Sequence, residues 1–75
     1  MTGVGWRVRV TTFGLDGKPV VFQNFIVYEP NTRRAIELVR RHMAVSDRQT
    51  IEVLGKVSLN TFRDRNMRRG QVRCQ

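Results

Sequence analysis

Two strand-like runs, "WRVRVTTF" (6–13) and "VVFQNFIVYE" (20–29), flank "GLDGKP" (14–19), and this arrangement constrains the chain more than any other feature. In the first run Trp6, Val8 and Val10 fall on one face and Arg7, Arg9 and Thr11 on the other. A period of two with β-branched residues predicts a half-buried strand. Asp16-Gly17 is a strong tight-turn signal between such runs, because both central residues of that turn favour positive φ. The second run places Val21, Gln23, Phe25 and Val27 on one face and Phe22, Asn24, Ile26 and Tyr28 on the other. Both faces carry apolar groups, which is unusual for a small sheet covered by a single helix.

Pro30 stops the second strand, and Asn31 or Thr32 is expected to cap a helix. "TRRAIELVRRHMAV" (32–45) places Ala35, Ile36, Val39 and Met43 on one stripe, with Leu38 and His42 at its edge. Arg33, Glu37, Arg40 and Arg41 lie opposite, with Arg33–Glu37 and Glu37–Arg41 at i,i+4 spacing. "SDRQ" breaks the helix. "TIEVLGKVSL" (50–59) predicts a third strand with Ile51, Val53, Val57 and Leu59 on one face and Glu52, Leu54, Lys56 and Ser58 on the other. Gly55 within it suggests a bulge or a close backbone approach. Further on, Thr61 and Asp64 have capping-box spacing and Gly70 follows two arginines, so a short helix over 61–69 is expected. "QVRCQ" is left to pair as an edge strand or to fray.

The expected fold class is α+β: a β-β-α-β unit of three strands with one helix on one face, and the first strand central if the third lies beside it. An arginine-rich C-terminal segment follows, as a short helix or an extra edge strand. The expected division is a single domain over 1–60 and a basic segment over 61–75. The expected core is Trp6, Val8, Val10, Phe25, Val27, Ala35, Ile36, Val39, Met43, Ile51, Val53, Val57 and Leu59. A chain of 75 residues buries only about 60% of its unfolded surface, so this core is small.

Several chemistries are not expected. Cys74 is the only cysteine and His42 the only histidine, so neither an intrachain disulfide nor a zinc site is expected, and a lone thiol fits a reducing compartment. No apolar run is long enough to span a bilayer, and "MTGVGWRVRV" lacks the apolar stretch of a signal peptide. A cytoplasmic location without membrane contact is the expectation. Asp16, Glu29, Glu37, Asp47, Glu52 and Asp64 are scattered without a paired spacing for acid–base work. "GVG" (3–5) precedes a strand, whereas a dinucleotide fingerprint follows one, so it reads as a flexible lead-in. His42 reads as a packing residue. The expectation is a non-enzyme with no cofactor and no small-molecule substrate.

Charge is the positive signal. The chain carries a formal net charge of +8, which favours polyanions, RNA or DNA first. Twelve of its basic residues are arginine, whose planar fork matches phosphate bidentately, although a GC-rich genome produces the same bias. Residues 63–75 hold five Arg and one Asp, so half of the net charge sits there. If Trp6, Val8 and Val10 face the helix, then Arg7, Arg9, Phe22, Tyr28 and Lys56 face away, with Ile26 and Leu54 among them. Arginines interleaved with aromatics on an open sheet suit single-stranded RNA. A second copy or another protein could cover that face instead, as could the C-terminal segment, with Phe62, Met67 and Val72 as plugs.

The candidate nucleic-acid contacts are therefore Arg7, Arg9, Tyr28, Arg40, Arg41, Arg63, Arg65, Arg68, Arg69 and Arg73. The competing reading of these arginines is a solvated surface. The candidate protein-interface residues are Phe22, Ile26, Tyr28 and Leu54. The expected function is a small basic module binding nucleic acid or a ribonucleoprotein through arginine–phosphate contacts. The alternative is a protein-interaction domain, either a homodimer or an adaptor for a partner protein.

Overall fold

The hairpin forms where the alternation places it. In a computed structural model that describes residues 3–75, β1 (Gly5–Phe13) pairs antiparallel with β2 (Pro19–Val27). The connection is wider than a two-residue turn. Gly17 N–H donates to the Gly14 carbonyl at 3.0 Å, and Gly14 N–H donates to the Lys18 carbonyl at 2.8 Å. Asp16 keeps a negative φ, and only Gly17 enters the left-handed region, at φ 79°. The Asp16 side chain instead accepts from Lys18 N–H at 3.0 Å, the local bonding that makes Asp a turn residue.

The helix α1 spans Thr32–Met43. Asn31 is its N-cap, the side chain accepting from Arg34 N–H at 3.0 Å. It ends at Met43, the last residue of its apolar stripe and two residues short of the expected run to 45, because Ala44 takes a left-handed conformation at φ 50° and closes the last turn. α1 leads to β3 (Gln49–Val57), which lies antiparallel beside β1. Thus β1 is central, as expected.

Among the described residues the sheet has four strands in the order β3-β1-β2-β4, where the sequence predicts three. The added strand, β4 (Val72–Cys74), pairs antiparallel with Phe25–Val27 of β2. Its three residues include one large aliphatic side chain, too little to generate a periodic pattern. A second helix, α2 (Leu59–Asp64), replaces the expected helix over 61–69. The chain leaves it at Arg65, and Asn66 adopts φ 54°. Gly70, expected as the helix C-cap, instead sits in the turn before β4 and donates its N–H to the Tyr28 carbonyl at 2.7 Å. α2 begins before residue 61, so it bridges the two segments into which the sequence divides.

The two sheet faces are filled by different parts of the chain. On the helix face, Val8, Val10, Phe25, Val27, Ala35 and Val39 form a buried cluster, flanked by Trp6, Leu38, Met43, Ile51, Val53 and Val72. On the far face, Ile26, Val57, Phe62 and Met67 are buried together, with Val4 and Tyr28 against them. Burying each large side chain contributes about 1.5–3 kcal/mol, so the second cluster is a substantial part of a small domain's stability.

One expected core residue changes face at a bulge. Along β3 the register with β1 shifts between Val53, which pairs with Val8, and Gly55, which pairs with Arg7. Leu54 is the extra residue of this bulge, and a one-residue insertion inverts every later side chain. Val57 therefore turns to the far face, where Phe62 covers it. Lys56 turns to the helix face and sets its Nζ 5.9 Å from the Trp6 ring centroid. Leu59 leaves the strand altogether and opens α2.

The segment 3–5 is also more ordered than a lead-in. Val4 N–H donates to the Val57 carbonyl at 3.1 Å, and Gly5 begins β1. The molecule is elongated, 42 × 19 × 18 Å, because the hairpin runs on beyond both helices.

Candidate nucleic-acid interface

The far face divides into a covered end and an open end. α2 and the turn after it close the first. The Phe62 and Tyr28 rings stack with centroids 4.5 Å apart and 9° between planes, and Ile26 beneath them is fully buried. Two expectations change here. Ile26 does not reach the surface as an interface residue, and the Tyr28 ring is occupied by Phe62 rather than free for a base. Of the three expected plugs, Phe62 and Met67 close this face, whereas Val72 packs on the helix face.

The boundary between the two ends, and the open end beyond it, are built by strand register. Arg7 of β1 lies opposite Ile26 of β2, which lies opposite Arg73 of β4. Directly opposed residues share a face, so Arg7 and Arg73 flank Ile26 in one row. Arg9 is two residues from Arg7 and lies opposite Asn24, so it occupies the next row. Neighbouring strands are spaced by about 4.8 Å and alternate residues by about 6.7 Å, which sets the backbone positions of these arginines on a compact lattice. Phe22 stands beside them, 56% exposed.

These arginines are held in position. Arg9 Nε donates to Asn24 Oδ1 at 3.3 Å, and its guanidinium carbon sits 5.4 Å from the Phe22 ring centroid. Arg7 Nε donates to Gln75 Oε1 at 3.3 Å. Arg73 Nη1 donates to the Arg65 backbone carbonyl. All these acceptors are neutral, so each arginine keeps its positive charge and unused donors. Within the four strands, Glu52 is the acidic residue, and it lies opposite Arg9. Asn24 and Gln75 are not among the residues that the sequence singles out. Alternation places Asn24 beside Arg9, but no local pattern announces Gln75, which reaches Arg7 only after β4 pairs.

The other arginines fall into two groups. Arg63, Arg65, Arg68 and Arg69 are exposed on α2 and the turn that follows it. Arg40 and Arg41 are exposed on α1, across the sheet from Arg7 and Arg9. Arg41 lines an open cavity of about 250 Å³ with Glu29, Arg34, Glu37, Leu38 and Gly70, so two arginines and two glutamates share its lining. Leu54, at the β3 bulge, is 41% exposed. His42 packs edge-on against Phe25, with ring centroids 5.8 Å apart.

Among the described residues no group of three His, Cys, Asp or Glu is placed to hold a metal ion. Among the described residues no helix is long and apolar enough to cross a membrane. A scan against protein-family models, a search of curated proteins and a search of solved structures each returned no match.

Proposed function

We propose that this protein is a non-enzymatic nucleic-acid-binding module that takes a single-stranded segment across the open end of its far sheet face. The observation that carries the reading is the lattice of Arg7, Arg9 and Arg73 on neighbouring strands, each oriented by a neutral hydrogen-bond acceptor. In this reading the three guanidinium groups hold phosphates, and the exposed Phe22 ring offers a stacking surface to a base. Single strands suit a flat face of this kind, because their unstacked bases lie on rings while the backbone follows the charge. Arg63, Arg65, Arg68 and Arg69 extend the positive field beyond the sheet. Arg40 and Arg41 lie outside this footprint and contribute only to long-range attraction.

Fluorescence anisotropy with labelled mixed-sequence RNA and DNA of about 10 nucleotides tests this reading. Binding is expected at low salt and falls steeply as salt rises. Each neutralised phosphate contact contributes a slope of about 0.7 in log K against log salt for a single strand. Arg7→Ala, Arg9→Ala and Arg73→Ala are each expected to lower that slope by about this amount. Arg40→Ala is expected to leave it nearly unchanged. Absence of binding at low salt, or sheet variants that bind like the parent, overturns the reading.

A further inference from the structure

A carboxylate beside the arginine lattice opposes phosphate binding, because like charges repel. Glu52 of β3 is that carboxylate: it is exposed and lies directly opposite Arg9 of β1. Its neighbours Ile51 and Val53 pack on the helix face, so strand alternation puts the Glu52 side chain on the far face with Arg9. The other charged residue of β3, Lys56, is on the helix face beside Trp6.

Opposed arginine and glutamate side chains ordinarily attract each other across a strand pair. Here both arginines of β1 turn the other way. Arg9 Nε donates to Asn24 Oδ1 of β2, and its guanidinium carbon sits 5.4 Å from the Phe22 ring centroid. Arg7 Nε donates to Gln75 Oε1, just beyond β4. β2 and β4 lie on the side of β1 away from β3. The Glu52 oxygens are therefore left to solvent or to a ligand.

Polar groups then follow a fixed order across the face. Phe22 lies opposite Thr11, so it is a diagonal neighbour of Arg9, about 7–8 Å away and within reach of long side chains. From Phe22 toward β3 come first the Arg9 guanidinium, with its unused Nη donors, and then the Glu52 carboxylate, with two acceptor oxygens side by side. A base resting on Phe22 with an edge toward β3 meets donors first and paired acceptors next.

Among the common bases only guanine fits this order throughout. Its edge presents N7 and O6, both acceptors, and then N1–H and the 2-amino group, both donors. Adenine and cytosine each offer a carboxylate one amino group, and uracil offers one N–H between two carbonyl oxygens. Given the single-strand footprint proposed above, on which this depends, we infer that Glu52 selects guanine, accepting from N1–H and the 2-amino group of a base stacked on Phe22 while Arg9 donates to O6 and N7. The carboxylate weakens general affinity for phosphates and adds a sequence preference.

Competition anisotropy tests the inference, with uridine strands of about 10 nucleotides carrying one central guanosine, inosine, adenosine or cytidine. The guanosine strand is expected to bind about tenfold tighter than the adenosine, cytidine or all-uridine strands, the discrimination of one bidentate pair. Inosine lacks the 2-amino group and is expected to fall between them. Glu52 is exposed, so Glu52→Gln and Glu52→Ala are expected to fold as the parent does, checked by circular dichroism. Glu52→Gln keeps one acceptor and is expected to reduce the guanosine preference to about twofold. Glu52→Ala is expected to abolish it, while the all-uridine strand binds about twofold tighter because the repelling charge is gone. Equal binding of all strands by the parent, or a preference for cytidine or adenosine, overturns the inference and leaves the phosphate lattice standing. So does Glu52→Ala tightening the guanosine and all-uridine strands alike, the behaviour of a merely solvated glutamate. Absence of binding to every strand overturns the proposed function together with it.

Discussion

The ring of Phe62 occupies the space that a side chain on Gly5 would fill, so these two residues, far apart in sequence, fit only as a pair. A Cβ built on Gly5 overlaps both the Phe62 ring and the Val27 carbonyl. Glycine is required at this position for close approach, not for backbone freedom. The contact joins the first residue of β1 to the centre of α2 and brings the C-terminal segment down on the sheet.

Gly5→Ala is therefore expected to destabilise the protein by about 1–3 kcal/mol through overpacking. Phe62→Ala is expected to cost about 3–5 kcal/mol, since it empties a fully buried aromatic site. Urea denaturation followed by circular dichroism measures both. Parent-like midpoints would show that α2 does not bear on the fold's stability.

Removing residues 61–75 distinguishes a lid from a solvated arm. Ile26 and Val57 would lose the cover of Phe62 and Met67, and Phe25–Val27 would lose β4. The expected result is loss of a cooperative transition and binding of a hydrophobic dye. Changing Arg63, Arg68 and Arg69 to Ser should instead leave stability within about 0.5 kcal/mol, because these side chains are exposed. The same triple variant should weaken RNA binding at low salt.

Leu54 tests the bulge. Its deletion removes the extra residue, so Gly55, Lys56 and Val57 keep their partners Arg7, Trp6 and Gly5, with alternation unbroken from Val53. Val57 stays beneath Phe62, so the variant is expected to fold with a parent-like near-ultraviolet circular dichroism spectrum, and an unfolded chain would show that the bulge itself is required. Leu54→Ala retains the residue count and should fold, with a modest loss in thermal midpoint.

The cap of α1 is a smaller and separable contribution. Asn31→Ala removes the acceptor for Arg34 N–H and is expected to cost about 1 kcal/mol. For a domain of this size that lowers the thermal midpoint by about 4–8 °C. Asn31→Asp should retain most of the stability, since a carboxylate also accepts at a helix N-terminus.

Much of the fold is written in local pattern. The alternation of Trp6, Val8 and Val10 against Arg7 and Arg9 sets β1 and its two faces. Asn31 and the Ala35–Val39 stripe set α1, and Asp16-Gly17 marks the hairpin connection. Each signal depends on neighbours within a few residues, where strand and helix periods act directly. Half of the candidate site was legible in the same way: alternation puts Arg7, Arg9 and Phe22 on one face. The other half was not. Arg73 joins them only because three residues of β4 add to β2, and Gln75 reaches Arg7 only after that pairing. Phe62 finds Gly5, and Leu54 inverts Lys56 and Val57, through contacts that no window of sequence contains. Local chemistry determined which segments become strands and helices. Tertiary packing decided which face each late residue serves, because register and close approach are properties of two segments together.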